Sequence, residues 1–156
     1  MLRWYCVALI LSLLVAVQSR TSDCECEGDV PEKERFCQSD FAVVGVVNST
    51  QASARYLNTS ETDETGETVA TISIRLHYVI LVDREIKESD SVGKVIRVST
   101  GPDSKNCGIR LRDGYTVFVT GSEEDGELKI DMCNSVWATA VDGTFPDHEE
   151  LMNTEC

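Results

Sequence analysis

Two cysteines one residue apart open the first polar stretch of the chain, Ser22-Asp23-Cys24-Glu25-Cys26-Glu27-Gly28-Asp29. Thiols there could hold a metal, staple a fold, or anchor the end of a mature chain. Structural zinc ligands come in pairs two to four residues apart. Here Cys37, Cys107, Cys133 and Cys156 follow at spacings of ten residues and then dozens. Cys6 lies in the apolar N-terminus, so six cysteines remain, an even number that in a secreted chain reads as three disulfides. The count leaves the connectivity open. Cys24 and Cys26 have poor geometry for bridging each other, so each should reach a distant partner, early cysteines joining late ones.

Catalytic chemistry is poorly represented. His77 falls within an alternating β pattern, where a structural or surface role accounts for it. His148-Glu149-Glu150-Leu151-Met152 begins like a zinc-protease motif, but Met152 stands where the second histidine ligand is needed. Glu123-Glu124 sits in a solvated turn, and neither a phosphate-binding glycine loop nor a GxSxG elbow occurs. The expectation is a binding protein with no cofactor of its own, not an enzyme.

The compartment follows from the N-terminus. Arg3 precedes the apolar run Trp4 to Val17, and Val17 and Ser19 are small residues where a signal peptidase reads. This is the layout of a signal peptide over residues 1–19, with a cut as late as 23 kept open. A membrane span wants about 20 apolar residues. The expected product is a secreted, extracellular monomer, one domain over residues 20–156. The formal net charge is −13, and loss of Arg3 with the leader takes it one unit further. Such a surface repels nucleic acid, heparin-like polyanions and anionic membranes.

The elements that must carry the cysteines are mostly β. Phe41 to Val47 (FAVVGVV) is too apolar to have only one buried face. Thr68 to Val82 alternates, with Ala70, Ile72, Ile74, Leu76, Tyr78 and Ile80 on its apolar side. Val92 to Thr100, Tyr115 to Gly121 and Glu127 to Cys133 supply three more strands, the last two joined by a turn ending in Asp125-Gly126. Pro31 to Cys37 and Pro146 to Asn153 read as short helices with acids in the first turn. The polar segment Asn48 to Glu67 reads as a long loop bearing glycosylation sequons at Asn48 and Asn58. The fold class is therefore mainly β, a five-stranded Greek-key OB-fold barrel with two short flanking helices and three disulfides.

The cysteine frame resembles a known family. Cys24-x-Cys26, then Pro31, Phe36-Cys37 and Ser39-Asp40 entering an apolar strand resemble the start of the tissue inhibitors of metalloproteinases. Cys107-Gly108, Thr120-Gly121, Asp125-Gly126, Ile130, Cys133, Trp137 and Cys156 continue the likeness in order. It covers the N-terminal, netrin-like (NTR) domain alone.

The resemblance implies the pairs Cys24–Cys107, Cys26–Cys133 and Cys37–Cys156. It also implies a mechanism in which the amine and carbonyl of an N-terminal Cys24 chelate the zinc of a partner protease. Zinc belongs to that partner, a zinc metalloendopeptidase of the matrix metalloproteinase or adamalysin type. Glu25 would enter the specificity pocket. Cys26, Glu27 and Gly28 would follow along the cleft, with Ser104, Lys105 and Asn106 as the neighbouring contact edge. The chain departs from the family at Glu25, where Thr or Ser is common, in the residues Arg20 to Asp23 ahead of Cys24, and by one extra residue between Pro31 and Cys37. A non-inhibitory netrin-like binding module for a receptor, matrix or immune partner is the alternative.

Overall fold

A computed structural model describes residues 24–26, 28–57 and 71–156. The leader, Glu27 and the sequon at Asn58 lie outside the described residues. Among the described residues, six strands and two short α-helices occur in the order α1 (Glu32–Gln38), β1 (Phe41–Leu57), β2 (Thr71–Lys87), β3 (Val95–Thr100), β4 (Thr116–Glu124), β5 (Glu127–Lys129), β6 (Trp137–Thr139) and α2 (Glu149–Met152).

The pairings close a ring. β1 pairs with β2, β2 with β3 and β4 with β5, all antiparallel, while β3 meets β5 in parallel and β4 returns antiparallel to β1. This five-strand circuit is the topology expected from the sequence. Its interior is filled by Phe41, Val43, Val47, Tyr78, Ile80, Val98, Ile109, Val117, Val119 and Ile130, among others, all nearly or fully buried. Inside, the Tyr78 hydroxyl donates to the Ile109 carbonyl at 3.0 Å and accepts from the Leu111 amide, so this buried polar tip is satisfied.

A second apolar cluster lies on the outer side of the same wall. Ala42 and Val44 of β1 and Phe118 of β4 pack there against Phe36 of α1, Val136 and Phe145. Successive strand residues point to opposite faces. A strand covered on both sides must be apolar at every position, which is why Phe41 to Val47 does not alternate.

Several boundaries differ from the sequence expectation. β2 runs on past Val82 to Lys87, β3 starts at Val95 rather than Val92, and β4 continues past Gly121 to Glu124, taking in Glu123 and Glu124, which were expected in the turn. β1 does not stop at Val47; it continues to Leu57, with register shifts that include one between Val47 and Ser49. The segment expected to loop from Asn48 is thus strand as far as Leu57, and Asn48 sits at that irregularity with its side chain exposed. Among the described strands only β2 pairs with this outer half of β1, so neither of its faces need be apolar. β5 ends at Lys129 rather than Cys133, because the Asp131 carboxylate accepts from the amides of Cys133 and Asn134 and turns the chain. The short β6, which pairs with β4, has no counterpart among the expected strands.

The β4–β5 connection follows its sequence signal. Asp125 (φ 54°) and Gly126 (φ 76°) both adopt the left-handed conformation that a two-residue hairpin turn needs.

Candidate functional site

Cys24 and Cys26 are tied to two neighbouring turns. The bridges are Cys24–Cys107 (Cα–Cα 5.0 Å) and Cys26–Cys133 (5.3 Å). A third, Cys37–Cys156 (5.4 Å), fastens α1 to the C-terminus. These are the three pairs the resemblance implies. The two turns that receive the N-terminal segment touch, since the Met132 amide donates to the Cys107 carbonyl at 2.9 Å. The Cys133 sulfur lies 3.5 Å from that of Cys24 and 4.0 Å from that of Cys107. Every sulfur in this cluster is already in a bridge, so none is a thiolate able to ligate metal.

Each turn has its own polar scaffold. Asp103 caps the single 3-10 turn Ser104–Asn106: its carboxylate accepts from the Asn106 backbone amide (3.1 Å) and side-chain amide (2.8 Å). These two bonds, the side-chain one foremost, hold the Asp103 carboxyl below the usual aspartate value. Cys107 then takes a left-handed conformation (φ 54°), and the Gly108 amide returns to the Asp103 carbonyl at 2.8 Å. A Cβ on Gly108 would fall 2.1 Å from the Gly101 carbonyl oxygen, so only glycine closes the loop. Asp131 organises the Cys133 turn in the same manner, and Arg35 of α1 donates to the Ser135 carbonyl (3.1 Å) and the Met132 carbonyl (3.4 Å) behind it.

The predicted contact residues fall into one neighbourhood. Glu25, Cys26 and Gly28 are exposed and Cys24 is half-buried. Ser104, Lys105 and Asn106 are exposed on the turn that ends at Cys107, the partner of Cys24. Glu27 lies outside the described residues. Asp103, Asp131 and Arg35 were not singled out by sequence reasoning. The Asp-x-x-Asn spacing at 103–106 and again at 131–134 is the available signal, since an aspartate can cap a turn made by the residues that follow it.

Neither histidine belongs to this site. His77 faces the outside of β2 with its Nε2 2.7 Å from the Ser53 hydroxyl. His148 packs against the Phe118 ring and lies 3.8 Å from Glu32, linking the two helices.

A rigid, exposed N-terminal segment bridged twice to adjacent turns of a five-strand ring now stands beside one comparison. The family model of the tissue inhibitors of metalloproteinases matches residues 22–141, most of the chain. The chain belongs to that family. Its members inhibit metalloproteinases and are not enzymes. No curated protein matches the chain. The family match spans both turns and the Cys24–Cys107 and Cys26–Cys133 bridges. It ends before α2 and Cys156, which the third disulfide joins to α1. Among the described residues no helix is long and apolar enough to cross a membrane.

Proposed function

We propose that this family member inhibits zinc metalloendopeptidases of the matrix metalloproteinase or adamalysin type by directing Cys24 at the protease zinc. The reading rests on one observation: Cys24 and Cys26 are each bridged to one of two touching turns. A segment fixed in that way loses little conformational entropy on entering a cleft. Cys24 would offer its α-amine, which is ordinarily half-neutral near pH ~8, together with its carbonyl oxygen. Glu25 would enter the specificity pocket, Cys26 to Gly28 would line the cleft, and Ser104 to Asn106 would form the adjoining edge. The zinc is the protease's, and the inhibitor contributes no metal. We read the protein as secreted after loss of residues 1–19 or a slightly longer leader, monomeric, and carrying glycans at Asn48 and Asn58.

The amine exists only if cleavage ends directly before Cys24. N-terminal sequencing of the secreted protein decides this. Cys24 as first residue, with inhibition abolished by one added alanine ahead of it, is the expected result. Arg20 as first residue, with no inhibition across a metalloproteinase panel, overturns the reading. That outcome favours a non-inhibitory netrin-like binding module, toward which the exposed Glu25 carboxylate also points.

A further inference from the structure

The cations of this acidic chain are unevenly placed. Arg55 of β1, Arg75 and His77 of β2, Arg97 of β3 and Lys129 of β5 line one groove of about 820 Å³ on the outer side of the sheet. The register gathers them. Arg75 is opposite Ser53, Arg55 opposite Ser73, His77 opposite Ser99, Arg97 opposite Val79, and Lys129 opposite Ser99. Residues directly opposite one another share a face, so four strands deliver these side chains to one side.

The turn between β4 and β5 forms the far wall with Glu124, Asp125 and Glu127. Glu124 pairs with Lys129, and Glu127 lies 3.8 Å from Arg75. Among the described residues no carboxylate lies within ion-pair distance of Arg97. Burial, and next the Arg97 guanidinium, hold His77 below its ordinary value; Arg75 adds to this and Glu127 opposes it. The groove shares no residue with the ridge formed by the Cys24–Cys26 segment and the two turns bridged to it.

We propose that this groove is a docking site for a short acidic peptide segment of a partner protein, with Arg97 and Arg75 as its principal carboxylate receptors. Guanidinium groups bind carboxylates through two parallel hydrogen bonds, and the Ser53 and Ser73 hydroxyls beside them can bond to peptide groups. The acidic wall and the net charge of −13 favour a few discrete carboxylates over a continuous polyanion, whose flanking charges would meet Glu124, Asp125 and Glu127 at the β4–β5 turn.

The experiment is an amide-resolved NMR titration of the isotope-labelled full mature chain with C-terminally amidated triglutamate at low salt, with triglutamine as control. Triglutamate should shift the amides of Arg75, His77 and Arg97, and triglutamine should not. Arg97→Gln and Arg75→Gln should each weaken binding about tenfold. Both side chains are exposed, and each variant's own amide spectrum reports whether the fold is kept. Equal binding of triglutamine, or unchanged triglutamate affinity in both variants, overturns the proposal. So does a heparin hexasaccharide that moves the same amides at lower concentration, which assigns the groove to polyanions. Protease inhibition should be unchanged in both variants, which keeps this test separate from that of the Cys24 ridge.

Discussion

Asp103 sets the shape of the Ser104–Asn106 turn, the proposed contact edge, without belonging to it. Its carboxyl is held below the ordinary aspartate value, chiefly by the Asn106 side-chain amide. A carboxylate with a depressed folded value contributes stability above the unfolded value and loses it as pH falls through the folded one. Acidification through the aspartate range should therefore loosen Ser104–Asn106, measured as faster exchange of the Asn106 amide. The pH step at that amide should vanish in Asp103→Ala, which should exchange fast at neutral pH as well. Glu25 is the second deciding residue. An exposed carboxylate must shed water to enter an apolar pocket, at a cost of several kcal/mol unless it is paired there. Glu25→Thr should therefore tighten inhibition by at least about tenfold, read as a lower inhibition constant against an apolar-pocket metalloproteinase. No change would place Glu25 outside the pocket.

At the scale of elements, the wall shared by β1 and β4 does the most to hold the two cores together. Phe118 is fully buried, with the Phe36 and Phe145 rings 6.4 and 6.2 Å away. Phe118→Ala should cost about 3–5 kcal/mol in urea denaturation and detach α1 and α2 from the ring before the ring itself opens. This wall was legible in the sequence, because burial on two faces demands the uninterrupted apolar run of Phe41 to Val47. The alternation of β2 was legible for the opposite reason, one face buried at Tyr78 and Ile80, although Ile72 and Ile74 on that same apolar side are exposed where β2 runs beyond the ring. The outer half of β1 was not. Gln51, Ser53 and Ala54 are exposed, and backbone pairing with β2 holds them without burial, so hydrophobic pattern carried no trace of the strand. β6 is three residues long, too short for any period to register. The ridge could be read from its cysteines, whereas the cationic groove depends on the register between four strands that no local window contains.

Across the whole molecule, the ring has one short seam. β3 and β5 meet only at Val98–Leu128 and Ser99–Lys129, extended by the Ile130 amide donating to the Ser99 carbonyl at 2.9 Å. Each strand then runs straight into a turn of the ridge, β3 toward Cys107 and β5 toward Cys133. Cys24 and Cys26, one residue apart, are bridged to those two turns, so the N-terminal segment straddles the seam like the clasp of a bracelet. Occupying the clasp should be felt around the ring: binding a protease at Cys24 should slow amide exchange at Val98–Thr100 and Leu128–Ile130, measured in the complex against the free chain. Unchanged exchange there would mean that the seam closes independently of the segment that bridges it. Cys24 and Cys26 would then serve both the proposed protease contact and the closure of the ring, and Glu25 is the one side chain between them that no disulfide ties down.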